Sequence, residues 1–346
     1  MTDHERTPFV EAFKAQHSFD DVVGWLGRVR PLKVLTIGET IIDEYAYCQA
    51  VGKSSKEPIL AVKVTSSESF AGGILAVANH VSQHCDDVGV CSMLGTTPSR
   101  QEVIDRALAP AVRRRFLTQQ GAPTIVKRRY IDQYFFQKLF EVYEMNDVLA
   151  AADDDAVCAA LSELVAAADV VVVVDFGHGM LSAGAVSIIV ENARFLAVNT
   201  QSNAGNLGYH TIARYRRADH VSLAESEIRL ELRDRHGPIE GVVERLRERH
   251  EYRRIVVTQG SAGCLLWSAE EGLARVPAFA DKIVDRVGAG DAFLAITGPL
   301  SAIGAPLAVT GFIGNAMGAE AVATVGNRTP VGAERLIARM RATLGA

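Results

Sequence analysis

Apolar residues fall along the chain in short β-branched blocks that close on glycine or an acidic residue, with longer helical stretches between them. Lys33 to Glu39 reads KVLTIGE, the pattern of a buried strand ending in a turn. The same pattern returns in Ala168 to Gly179, Phe195 to Gln201, Asp219 to Glu225 and Arg253 to Gly260. Between these blocks, DDDAVCAALSELVAAA and IEGVVERLRERH carry helical periodicity. Continuous apolar strands alternating with helices predict an α/β fold with a mainly parallel sheet covered on both faces. Ser18 and Asp21 ahead of VVGWLGRV predict a capped amphipathic helix in a helical extension over residues 1–30, in front of one domain over 31–346. Two stretches break the rhythm, at about 57–70 and 124–146, where charged and aromatic residues mix with strand formers. They predict a small antiparallel sheet standing off the main layer as a lid; the alternative is a pair of extra edge strands. No internal repeat or linker marks a second independent domain.

Composition narrows the function classes. The 346 residues carry a net charge of −5, with 48% apolar and 22% charged residues. That is ordinary globular composition, and it lacks the basic excess of a nucleic-acid binder. Five scattered cysteines without a CxxC pair fit reduced thiols and predict a cytoplasmic protein. The most apolar run, Val165 to Val174, is broken by Asp169 and is too short to span a bilayer.

Chemistry gathers at the predicted strand ends, where ligands of open parallel sheets bind. Glu39 and Asp43 follow the first strand; Asp175 and His178 follow another. Asn199, Gln201, Asn203 and Asn206 come next, then Glu225 and Glu227, then Thr258, Gln259 and Gly260. Each alone reads as a turn or cap, whereas five such ends together predict one composite site. The sharpest motif is DRVGAGDAFLA, Asp285 to Ala295. Gly288, Ala289 and Gly290 allow a tight turn into a helix whose free N–H groups form an anion hole. A carboxylate there, Asp291, suits a base that takes a proton from an attacking hydroxyl. The plain alternative is a helix N-cap. VGKS at Val51 to Ser54 fails as a P-loop, because Tyr47 stands where the first glycine belongs. His80, His84 and Cys85 have helical spacing but no further ligand in view, so a solvated helix face is the expectation rather than a metal site.

The GAGDAF run resembles the C-terminal signature of the ribokinase (PfkB) family of sugar and nucleoside kinases. SFAGGILAVANHV, Ser69 to Val81, is similar to that family's diglycine motif, and GETIIDEY to its first strand end. Within the family the likeness is nearest to the kinase part of bifunctional heptose-phosphate kinase/nucleotidyltransferases, through SSKEPILAV and GNAMGAEAVATVGN. The likeness runs from about Lys33 to the end, with the motifs in order. It implies a ribokinase-like three-layer α/β/α fold with a small β lid, and use of ATP and Mg2+. Asp291 would be the base and Gly288 to Gly290 the anion hole. Asp43, Gly72, Gly73 and Asn79 would bind the sugar, with Arg128 beside Lys127 and Arg129 for a substrate phosphate. Thr258, Gly260, Asn315 and Asn199 would serve the nucleotide, and Glu227 the metal. Ala224, Ala76 and Arg286 depart from the family pattern, as does VNTQSNAGN. The implied activity is phosphorylation of a sugar or sugar-phosphate hydroxyl, with heptose 7-phosphate as one acceptor. A kinase for another sugar or nucleoside, or a non-catalytic paralogue, is the alternative. The resemblance also implies a homodimer through the lid and a separate nucleotidyltransferase as partner.

Overall fold

The computed structural model describes residues 3–346, and the side chains from residue 6 onward. Nine strands form the main sheet: β1 (Lys33–Gly38), β4 (Asp87–Gly95), β5 (Arg113–Gln119), β8 (Val170–Asp175), β9 (Leu196–Thr200), β10 (Arg217–Ala224), β11 (Glu251–Thr258), β12 (Cys264–Ser268) and β13 (Gly272–Val276). Their order is β13-β12-β11-β10-β9-β8-β1-β4-β5. All neighbours run parallel except at β11–β12 and β12–β13. Period-two alternation explains why the apolar runs had to be continuous: both faces are buried. Val170, Val172 and Val174 pack into one core with α3 (Ile74–Val81), α9 (Ala289–Ala302) and α10 (Leu307–Val322). Val171 and Val173 face the opposite core, with α5 (Ala151–Leu164), α6 (Ala183–Asn192), α7 (Glu225–Leu232) and α8 (Ile239–Arg249). The result is a three-layer α/β/α sandwich.

The second sheet has the order β3-β2-β6-β7, from β2 (Thr40–Lys53), β3 (Leu60–Gly73), β6 (Ile125–Asp132) and β7 (Gln137–Glu144). Two of its pairings are antiparallel, but β2 and β6 run parallel, so the sheet is mixed rather than antiparallel. One of its two inner strands, β2, takes in Val51, Gly52 and Lys53 of the rejected P-loop echo. Tyr45, Phe70 and Ile131 form its own small core. Gly73 closes β3 and caps α3 with φ of +54°; a Cβ there would stand 2.6 Å from the Glu39 carbonyl oxygen.

At the N-terminal end, α1 (Asp3–Gln16) and α2 (Phe19–Val29) precede β1. The Ser18 hydroxyl accepts from the Asp21 N–H at 3.1 Å, and the Asp21 carboxylate accepts from the Ser18 N–H at 3.2 Å. Val22, Leu26 and Val29 turn inward, and Phe13 stacks on Phe312 at 4.7 Å. His80 and His84 do not form the expected solvated face: both are buried and bracket Val331. His80 Nδ1 accepts from its N–H at 3.2 Å, and His84 Nε2 donates to its carbonyl at 3.1 Å. Burial lowers their pKa values to about 3 and about 4, so both stay neutral. Among the described residues no group of three or more His, Cys, Asp or Glu is placed to hold a metal, and no helix is long and apolar enough to cross a membrane.

Candidate active site

The carboxyl ends of β8 to β11 and the inner face of the small sheet enclose a cavity of about 350 Å³. Its floor is the start of α9. Gly288 caps that helix with φ of +81°, a conformation that costs an L-residue about 1–2 kcal/mol, and a Cβ there would run into the Asn327 side chain. The first N–H groups of a helix lack intrahelical acceptors, so the turn through Gly288, Ala289 and Gly290 offers donors and a positive dipole end to an anion. Asp291 lies inside this first turn, not at the cap, and makes no capping bond. The N-cap alternative is thereby overturned. Its carboxylate is buried and accepts from Gln201 Nε2 at 2.9 Å. Burial, and secondly the negative Asp43, push its pKa up to about 7. A buried carboxyl that titrates near neutrality, facing a cavity, is placed to exchange protons.

The opposite wall comes from the small sheet. β2 and β6 pair with Asp43 opposite Lys127 and Tyr45 opposite Arg129, which puts all four on one face. Arg129 bonds Asp43 and also Glu141, at 3.0 Å. Lys127 is buried and makes no ion pair within 4 Å among the described residues: its ammonium lies 5.2 Å from the ring centres of both Tyr143 and Phe176. Burial lowers its pKa, offset in part by Asp43. Alternation sends Arg128 the other way, to Glu44 at 2.7 Å and Glu144 at 2.9 Å, so it does not line the cavity. Gly72 lies against the Asp43 carboxylate, where any Cβ would collide with it.

On the nucleotide side expected from the sequence, Asn199, Ser222, Ala224, Glu227 and Thr258 line the wall. Glu227 accepts from the Ala224 N–H at 2.7 Å and the Ser202 N–H at 3.1 Å, and burial raises its pKa to about 7. Asn199 donates to the Ser222 carbonyl at 2.7 Å, while its Oδ1 is buried without a partner. Besides Arg128, five expected residues stand outside the cavity lining: Gly72, Ala289, Asn79, Asn315 and Gly260. Asn79 ties the Ala107 carbonyl and the Ala109 N–H, at 2.7 and 2.8 Å. Asn315 donates to the carbonyls of Val276 and Pro277. Gly260 is exposed, with φ of +57° in the turn after β11. Glu225, just past the end of β10, accepts from Arg229 and Gln259 rather than facing the cavity. The bond from Gln201 to Asp291 and the place of Phe176 beneath Lys127 carried no sequence signal beyond their position at strand ends.

A profile described as the pfkB family carbohydrate kinase matches residues 31–333. The chain belongs to this family. It is therefore a carbohydrate kinase, a phosphotransferase with an alcohol acceptor, in a family that uses ATP with Mg2+. A bifunctional protein HldE of Wolinella succinogenes is 23% identical over 302 residues, covering 86% of this chain and 62% of that protein. The HldE of Geobacter metallireducens is 24% identical, covering 91% of this chain and 64% of its own. This kinase thus spans less than two thirds of the curated relatives it matches. Among solved structures, a mutant of phosphofructokinase-2 from Escherichia coli superposes with a TM-score of 0.72 at 15% identity, covering 91% of this chain and all of that one. Ribokinase of Arabidopsis thaliana, solved with ribose and ATP, gives 0.67 at 14% identity, covering 90% and 99%. At such identity these two establish the ribokinase-like fold.

Proposed function

We propose that this kinase transfers a phosphoryl group from ATP to the hydroxyl of a sugar that already carries a phosphate, with heptose 7-phosphate, phosphorylated at its anomeric position, as the leading acceptor. The observation that carries this reading is Lys127. A buried ammonium in the cavity wall with no direct ion-pair partner among the described residues suits an anionic group on the ligand, and its charge offsets part of the upward shift of Asp291. The resemblance of the sequence motifs to heptose-phosphate kinases favours a heptose phosphate.

In this reading Asp43 and the backbone at Gly72 and Gly73 hold the sugar hydroxyls, and Lys127 faces the acceptor's own phosphate. Asp291 takes the proton from the attacking hydroxyl, while the α9 amides at Gly288 to Gly290 receive the oxygens of the moving phosphoryl group. Thr258 and the β10 end line the path of the nucleotide. Glu227 and the orphaned Oδ1 of Asn199 fit Mg2+ and its waters, since Mg2+ typically takes one or two protein carboxylates and otherwise phosphate and water. When bound, Mg2+ neutralises charge on the ATP phosphates. Exposed Leu60, Val64, Phe140 and Val142 on the small sheet support association of two copies through the lid. A separate nucleotidyltransferase is the proposed partner, in keeping with the sequence resemblance to bifunctional heptose-phosphate kinase/nucleotidyltransferases.

The test is kcat/KM for sugar phosphates, free sugars and nucleosides, in wild type and Lys127→Met. Loss of a hydrogen bond to a charged group predicts a fall of about 10- to 100-fold on phosphorylated acceptors alone. Preference for a free sugar or nucleoside, or an equal loss on every acceptor, would contradict the acceptor class.

A further inference from the structure

We infer that Tyr45, Lys138 and Asp285 form a latch through which the seated lid organises the anion hole. Asp285 opens the loop that leads to Gly288 and Asp291, and its side chain is 1% exposed. Each of its carboxylate oxygens takes one bond from the lid and one from the body. Oδ2 accepts from the Tyr45 hydroxyl on β2 at 2.5 Å and from the Gly326 N–H at 3.0 Å. Oδ1 accepts from the Lys138 ammonium on β7 at 2.7 Å and from the Val287 N–H at 3.2 Å.

The body side of the latch reaches the anion hole directly. The Val287 bond fixes the peptide just ahead of Gly288, where the chain turns into α9. The N–H groups of Val284 and Asp285 both donate to the Val322 carbonyl, at 2.8 and 3.1 Å. The loop is therefore held between the 322–327 segment on one side and two lid strands on the other.

The lid side reaches the acceptor. Tyr45 shares its strand face with Asp43, and Arg129, opposite Tyr45 in register, bonds Asp43 while its guanidinium lies 5.9 Å over the Tyr45 ring. A ligand gripped by Asp43 thus bears on the stretch of β2 that holds Asp285. Burial alone would raise the Asp285 pKa; the bonds from Lys138 and Tyr45 outweigh it and keep the carboxyl below its usual range. Burial and Asp285 push the Tyr45 hydroxyl far upward, so it remains a donor. Lifting the lid removes two of four bonds from Asp285 and frees the loop that shapes the anion hole. These three are positioning residues, and the latch would spare ATP from transfer to water before an acceptor is seated.

The latch rests on the phosphoryl-transfer reading, and its test separates the two. Tyr45→Phe, which removes one oxygen from a fully buried ring, and Lys138→Met are compared with wild type. The readouts are acceptor phosphorylation, acceptor-independent ATP hydrolysis, melting temperature and amide hydrogen exchange across 284–291. Each variant is expected to lower kcat about 10- to 100-fold, with KM for ATP held within about threefold. The share of ATP lost to water rises, and exchange across 284–291 quickens. Unchanged exchange in both variants, or kcat falling only in step with the folded fraction, would overturn the latch. A wild type that phosphorylates no acceptor would fail the transfer reading instead, and the exchange data would still decide whether the latch exists.

Discussion

Replacing Asp291 by asparagine should make the protein more stable while disabling it. Asparagine keeps the oxygen that accepts from Gln201 Nε2 and removes only the charge. In the native state burial, then Asp43, raise the carboxyl from 3.8 to about 7. The folded protein therefore binds this proton more tightly than the unfolded chain, and stability falls as pH rises between about 4 and 7. Above pH 7 the full penalty is present. The gap between 3.8 and about 7 sets it at about 4 kcal/mol, at roughly 1.4 kcal/mol per pH unit. Urea denaturation of wild type and Asp291→Asn at intervals from pH 4 to 8 measures it. The advantage of the variant should be small near pH 4, grow through pH 5 and 6, and level off above 7. A variant no more stable than wild type at pH 8, or an advantage independent of pH, would refute the claim that the fold holds a costly charge here. A carboxylate kept at such cost is the mark of a site selected for chemistry rather than stability.

Three further outcomes follow from the same geometry. The proposed base Asp291 acts in its ionised form and the proposed metal residue Glu227 is also raised to about 7, so kcat/KM should rise with pH up to about 7 and then level, with a slope steeper than one below about pH 6; a flat profile from pH 5.5 to 8 would count against both roles. Gly288→Ala must hold an L-residue at φ of +81° against Asn327, which should cost about 1–2 kcal/mol of stability and lower kcat by re-aiming the α9 amides; unaltered kcat by steady-state assay would contradict the anion hole. Arg286 lines the cavity mouth and is exposed, so Arg286→Ala should lower kcat/KM for ATP about 10-fold through a lost phosphate contact while leaving the melting temperature unchanged.

The parts of this account that could be read from the chain are those where local pattern and location coincide. The valine run ending at Asp175 had to be a central strand, because only a sheet covered on both faces makes alternate positions equally apolar. The glycines at 288 and 290 marked the turn into α9, and the carboxylate beyond them, read from the sequence as a base, is the one the structure buries against the cavity. The lid face could not be read this way. Lys127, Arg128 and Arg129 are adjacent cations, and only the register of β6 against β2 decides that the outer two face the cavity while Arg128 turns to Glu44 and Glu144. β2 itself was hidden because charged and small residues interrupt it, its pairing being set by distant strands rather than by its own pattern. Asn79 and Asn315 have side chains of the right chemistry, yet backbone groups nearby claim them. Asp285 opens the motif, but three of its four bonds come from Tyr45, Lys138 and Gly326, far away in sequence.

The central claim is that Asp291, at the start of α9, moves a phosphoryl group from ATP to a sugar hydroxyl. The most direct measurement is single-turnover transfer of γ-labelled phosphate from ATP to heptose 7-phosphate, in wild type and Asp291→Asn, with ATP affinity measured in parallel. The account predicts labelled bisphosphorylated sugar from wild type, a rate about 10²- to 10⁴-fold lower in the variant, and ATP affinity changed little. Equal rates in the two proteins would contradict it.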